Sequence, residues 1–224
     1  MSAAPKIALI SAVPAAIAPA EAALRAALPD AVVWNILDDR LLADADSRGG
    51  LDDVLRLRMQ RLIAHAVAED VDGVLLTCSL YGPVAQQTDA AVPVMAPDEA
   101  AFADIAAAGH ASVLVLASFD NARDDSVQRL EAAVRAAGVT VRVTGRSVPA
   151  AMTASRAGDQ GALVTALVEA CVDRPADVDA VFLAQYSLAP AGDALQQTIG
   201  LPVLSGPKSA AAALRRLASD QVAR

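Results

Sequence analysis

The chain is poor in cysteine, in histidine, in basic residues and in long apolar runs. Its two cysteines, Cys78 and Cys171, can build neither a disulfide scaffold nor a cysteine zinc cluster, and His65 and His110 add little to a ligand set. Lys and Arg number 18 against 26 Asp and Glu, a formal charge of −8 with a pI of about 4.7. A nucleic-acid footprint needs a basic face, and this balance argues against one. Pro and charged residues interrupt every apolar stretch before it reaches the roughly 18 residues of a membrane span. Aromatics are scarce at 3%, yet 55% of the 224 residues are hydrophobic. That exceeds the ordinary share of about 45–50%, so a core is easily buried and global disorder is excluded.

Residues 1–20 carry Lys6, an apolar stretch and small residues in the manner of a secretion signal. Residues 6–10 read instead as a strand, broken by Pro14 and Pro19 where a loop starts. We therefore expect a mature cytoplasmic protein.

Short β-branched runs alternate with longer Ala/Leu stretches of helical period. Strands are expected at 6–10, 31–36, 72–77, 92–95, 112–117, 139–144, 179–184 and 202–204. Helices are expected near 19–28, 51–69, 98–108, 124–137, 159–172 and 207–219. Runs such as Val113-Leu114-Val115-Leu116 are continuously apolar, which suits parallel strands covered on both faces. Gly109 and Gly138 supply helix stops. Alternation of β and α in this order gives an α/β, doubly wound architecture.

The halves resemble each other. Val71-Asp72-Gly73-Val74-Leu75-Leu76-Thr77-Cys78 recurs as Val178-Asp179-Ala180-Val181-Phe182-Leu183-Ala184-Gln185, 107 residues on. The same offset maps Ile10-Ser11 onto Ala117-Ser118 and Val32 onto Val139. After one extra residue, Ser79-Leu80 matches Ser187-Leu188. A fixed offset shared by three strands predicts two similar Rossmann-like lobes related by a pseudo-twofold, at 1–97 and 98–207, with 208–224 a terminal helix packing back. Ligands of open α/β sheets bind outside the carboxyl ends of the strands, which here predicts an active-site cleft between the lobes.

Cys78 ends an apolar strand, and Ser79 after it is the expected cap of a helix. A thiol there is drawn toward its thiolate by the N–H groups of the helix start, or it is a small buried hydrophobe; position alone leaves both open. Cys171 shares a helix face with Val164 and Leu167 and reads as core. Gly49-Gly50 and Ser205-Gly206-Pro207-Lys208 lack phosphate-loop spacing. Lys208, His65 and His110 read as solvated or capping residues. Hydroxyls at strand ends, Ser11, Thr77, Ser79, Ser118 and Ser187, suit a carboxylate.

Thr77-Cys78-Ser79, Asp38-Asp39 with Leu41-Leu42, and Leu183-Ala184-Gln185-Tyr186-Ser187-Leu188 together resemble the Asp/Glu/hydantoin racemase superfamily over nearly the whole chain. The resemblance implies an enzyme without cofactors, acting on the carbon next to a carboxylate of a small substrate. Racemases of that superfamily place one cysteine from each lobe on opposite faces of this carbon. Here the second position holds Gln185, which does not titrate near pH 7. The acid residue expected after the first strand is replaced by Ser11-Ala12-Val13, and the histidine of the second motif by Tyr186 or Ser187. Cys78 and Gln185 are thus the catalytic candidates, with Ser11, Thr77, Ser79, Ser118, Tyr186 and Ser187 as substrate-binding candidates. The chemistry implied is racemase- or isomerase-like. The alternatives are a single-cysteine enzyme resembling arylmalonate decarboxylases (whose cysteine lies in the second lobe) or maleate isomerases, and a carboxylate-binding protein that has lost one base. Neither nucleic acid nor membrane is an expected partner, no metal site is expected, and a homo-oligomer is allowed.

Overall fold

The computed structural model describes residues 4–222, within which there are eight strands and ten α-helices. The chain divides into two compact units, residues 1–97 with 210–224, and residues 98–209. In the first unit, β1 (Lys6–Ser11), β2 (Val32–Leu37), β3 (Gly73–Leu76) and β4 (Val94–Met95) form a wholly parallel sheet of order β2-β1-β3-β4. In the second, β5 (Ser112–Ala117), β6 (Arg142–Ser147), β7 (Ala180–Leu183) and β8 (Val203–Ser205) repeat that order as β6-β5-β7-β8. The α/β class and the two similar lobes are as expected from the alternating sequence.

Helices α1 (Ile17–Ala27), α2 (Leu41–Arg48), α3 (Asp53–Ala68) and α4 (Gly82–Gln86) belong to the first unit. Helices α5 (Glu99–Ala108), α6 (Asp120–Ala136), α7 (Pro149–Ala157), α8 (Gln160–Val172) and α9 (Gly192–Ile199) belong to the second, and α10 (Gly206–Val222) is the last element. No helix among the described residues is long and apolar enough to cross a membrane.

The central strands β3, β5 and β7 are buried throughout, while the edge strands β2 and β6 are half exposed. Successive residues of β5 and β7 feed opposite cores. Leu114, Leu116, Val181 and Leu183 pack with Leu163, Leu167 and Cys171 of α8, whereas Val113, Val115 and Phe182 pack with Phe102, Ile105 and Leu130. Continuous apolar strands are the sequence trace of this two-sided burial. Helix ends follow local chemistry: Asp52 Oδ1 accepts from Leu55 N at 2.9 Å to start α3, and Asp159 Oδ1 accepts from Ala162 N at 2.9 Å to start α8. Gly109 ends α5 in the left-handed region at φ 74°, the role its sequence position suggested.

Three expectations are corrected. The offset is not fixed. Strand registers make Ile7 equivalent to Val113, Val33 to Val143, Gly73 to Ala180 and Val94 to Val203, so separations run from 106 to 110 and only β3 and β7 lie 107 apart. Ser11 is therefore the counterpart of Ala117, not of Ser118. Second, β6 begins three residues later than expected. Gly138 N–H donates to Arg135 O and Val139 N–H to Val134 O, so the turn that ends α6 consumes these residues. Third, α6 starts at Asp120, four residues early, because Phe119 is extended and frees the next residue to begin the helix.

One close approach in the second unit sets a test. A Cβ on Gly145 of β6 would lie 2.6 Å from Arg123 Cγ and 2.8 Å from Val127 Cγ2, both on α6. Val127 is branched and Arg123 Cγ is near its backbone, so neither yields easily. We expect Gly145→Ala to destabilise the protein by about 1–3 kcal/mol in denaturant unfolding. Gly161→Ala on α8 meets only Asp159 Oδ1 at 3.5 Å, and should stabilise by about 0.4–1 kcal/mol.

Candidate active site

In the first unit, Thr77 N–H donates to Ile10 O at 3.0 Å, the last rung between β1 and β3. Beyond it the Thr77 hydroxyl donates to Ser11 Oγ at 2.8 Å, with both residues buried. Cys78 follows in extended conformation, φ −118° and ψ 118°, and its carbonyl accepts from Tyr81 N at 3.1 Å. That bond closes a 3-10 turn over Ser79–Tyr81, after which α4 runs five residues. Cys78 itself, not Ser79, holds the N-cap position, and the helix behind it is too short to supply the dipole expected from the sequence. The side chain is half-buried against the first unit's apolar cluster and is not in a disulfide.

A charged clamp stands beside this turn. Arg58 of α3 grips Asp38 with two bonds, Nε to Oδ2 at 2.6 Å and Nη2 to Oδ1 at 2.7 Å, and reaches Asp44 of α2 through Nη1 at 2.8 Å. Burial works against its charge, but the Asp38 and Asp44 carboxylates more than offset it and hold the guanidinium's pKa above its ordinary value. Tyr81 is fully buried, and its hydroxyl donates to Leu41 O at 2.9 Å. Burial, then its electrostatic coupling to Cys78, pushes the phenol pKa well above its usual range, so Tyr81 remains a neutral donor. Asp38 and Leu41 belong to a stretch singled out in the sequence, whereas Arg58 was missed. Its signal was present: it lies three residues after Leu55 and four before Leu62, on the flank of the apolar stripe.

The second unit repeats the backbone with other side chains. Ala184 N–H donates to Leu116 O at 3.0 Å, and Leu188 N–H closes the following turn on Gln185 O at 3.0 Å. Cys78 and Gln185 are thus equivalent, and so are Ser79 and Tyr186; the extra residues of the second unit fall later, in a 3-10 turn of six residues, Tyr186–Ala191. The buried hydroxyl pair Ser11–Thr77 has two alanines, Ala117 and Ala184, as its counterpart. Ser118 is buried, and its N–H donates to Gln185 Oε1 at 2.7 Å. Tyr186 is 2% exposed, and burial together with the negative charge of Asp98 raises its phenol well above the ordinary value. Ser187 is half-buried, and its carbonyl accepts from Ser155 Oγ at 3.3 Å.

The remaining residues singled out from sequence lie elsewhere. His65 is exposed at the edge of the Trp34 ring, and His110 Nδ1 stands 3.4 Å from Asp179 Oδ1. Lys208 pairs with Asp193. Among the described residues no group of three or more His, Cys, Asp or Glu could hold a metal ion. Cys171 is 0% exposed, and burial pushes its thiol up from the ordinary value. In the folded protein we expect iodoacetamide to label Cys78 well ahead of Cys171 at every pH from 6 to 9, read by peptide mass spectrometry. Equal rates would contradict the placement of the two thiols.

No family model matches the chain, and neither does any curated protein sequence. Solved structures do. Aspartate racemase from Picrophilus torridus superposes with a TM-score of 0.71 at 12% identity, covering 96% of this chain and 94% of that one. Glutamate racemase from Thermus thermophilus gives 0.69 at 17% identity, covering 98% and 82%. Unliganded arylmalonate decarboxylase gives 0.57 at 22% identity, covering 94% and 92%. At these identities the likeness is one of fold: the chain shares its fold with aspartate and glutamate racemases and with arylmalonate decarboxylase.

Proposed function

We propose that the protein is a cofactor-independent enzyme that moves a proton at the carbon α to a carboxylate of a small substrate, with Cys78 as the side chain that carries it. The observation behind this is the equivalence of Cys78 and Gln185: two matching backbone stations, of which only one holds a side chain able to take up and return a proton. The fold is used by isomerases and by a lyase among the similar structures, and both chemistries pass through a charge on the α-carbon.

One thiol serves one face of that carbon. As a thiolate, Cys78 takes the α-proton; the C–H electron pair moves into the carboxylate, giving an enediolate and a neutral thiol, and the thiol returns a proton to the same face. In a decarboxylation, the bond to the departing carboxylate supplies that pair instead, CO2 leaves, and the thiol protonates the enediolate before recovering its proton from water. Charge on the enediolate oxygens calls for preorganised donors. We assign that work to the strand-end hydroxyls and N–H groups around Ser79, Ser118 and Ser187, with Ser11, Thr77 and Tyr186 holding the loops from beneath.

A same-face mechanism separates exchange from inversion. With a substrate of the aspartate, hydantoin or arylacetate class, wild-type protein should exchange the α-proton into D2O faster than it racemises, as read by NMR beside chiral chromatography. Cys78→Ser should abolish exchange. Gln185→Cys supplies a second thiol and should raise racemisation by about 10²–10⁴-fold, the usual range of one acid–base group. Chelators should leave all of these rates unchanged. Efficient racemisation of aspartate or glutamate by the wild type would refute one-sided transfer.

A further inference from the structure

Gln185 is held at both ends of its residue. Its carbonyl accepts the N–H of Leu188, and its side-chain oxygen accepts the N–H of Ser118 at 2.7 Å. A backbone N–H can only donate, so the amide atom that meets it must be the oxygen, and the orientation of the carboxamide follows from chemistry alone. The nitrogen then faces away from Ser118 with two N–H donors. Nε2 has no hydrogen-bond partner among the described residues. The buried side-chain nitrogens and oxygens without partners there are Asn35 Oδ1 and Thr144 Oγ1, so Nε2 keeps access to what surrounds it. An aimed, accessible pair of donors with its acceptor already occupied recognises an oxygen and rejects a second donor.

We infer that Gln185 is a hydrogen-bond donor to the substrate: Nε2 binds a carboxylate oxygen, and Ser118 N–H is the group that aims it. The inference rests on the enzymatic role proposed above and names the task of the residue that stands where a second thiol would. It makes Gln185 a residue of specificity and charge stabilisation, not of proton transfer. The two alanines at the strand end beneath it, Ala117 and Ala184, offer no competing hydroxyl for Nε2.

The test uses the whole chain labelled with 15N, with phenylacetate and phenylmalonate as probes. Titration of either probe should move the side-chain NH2 pair of Gln185, identified by its loss in Gln185→Met, while the Ser118 amide stays nearly in place because its partner is unchanged. Gln185→Glu keeps an oxygen for Ser118 but turns a negative oxygen toward the probe. It should weaken binding by tenfold or more, the scale of a hydrogen bond to a charged group. Gln185→Met should weaken it less than Gln185→Glu, and should lower the melting temperature by several degrees because the Ser118 N–H loses its acceptor. If Gln185→Met fails to fold, the wild-type titration and the isosteric Gln185→Glu decide. Neither probe moving the NH2 pair, or Gln185→Glu binding as tightly as wild type, would overturn the inference. The two proposals fail separately: α-proton exchange intact with an unmoved NH2 pair removes the donor role alone. An NH2 shift that persists in Cys78→Ser, in a wild type that exchanges no α-proton, removes the proton-transfer role alone and supports the donor.

Discussion

Two backbone hydrogen bonds, Thr77 N–H to Ile10 O and Ala184 N–H to Leu116 O, are the rungs on which the rest of the molecule's chemistry hangs. Each is the last link between a central pair of parallel strands, and each is made whatever side chains flank it. One residue later the chain leaves the sheet in extended conformation and turns back through a 3-10 bend onto its own carbonyl. The residue at that exit, Cys78 or Gln185, is placed by main-chain geometry. Its identity is left for function to choose, as for ligand sites at the carboxyl ends of parallel strands generally.

What surrounds the two exits differs in kind. In the first unit a buried hydroxyl pair lies under the thiol, and an arginine held by two carboxylates braces the neighbouring loop and the buried Tyr81. In the second unit the hydroxyl pair is replaced by alanines, the exit residue is an amide tied to the main chain, and the charge lies deeper, where Asp98 at 1% exposure pairs with Arg129 Nη2 at 2.6 Å. A thiol gains from nearby dipoles that respond to its ionisation, whereas an amide with no ionisation to manage gains from being fixed. One backbone frame therefore carries a thiol at one exit and a tethered amide at the other.

Much of this was legible in the residues, and the misses have physical causes. Apolar runs two-sided enough to be parallel strands fixed the fold class, and the strand-then-Cys pattern led to Cys78. The repeat between β3 and β7 aligned Gln185 with Cys78 because those two strands do lie 107 apart, but extending that offset to β1 and β2 failed. Loops between strands drift in length without disturbing hydrogen-bond register, so only a ladder can align repeats. Ser79 looked like a cap because serine usually is one, yet the strand exit already claimed the cap position for Cys78. The short helices α2, α7 and α9 were not expected. Each is eight or nine residues, near the limit where periodicity can be told from chance. Arg58 escaped because a charged residue beside an apolar stripe is most often a solvated flank, and only its two distant carboxylates show otherwise.

The Asp98–Arg129 pair also divides the protein's charges into those that salt reaches and those that it does not. Most other ion pairs, such as Arg25–Glu21 and Arg48–Asp52, sit at the surface and contribute little once counterions screen them. At a net charge of −8, added salt also relieves self-repulsion, and the two effects oppose each other. The Asp98 carboxylate is 1% exposed and is screened far less, and Arg129 further stacks over Phe102 at 5.4 Å, itself edge-on to Phe182 of the central strand β7. Added salt therefore screens the rim pairs of this protein while leaving the buried electrostatic anchor of its second sheet largely untouched.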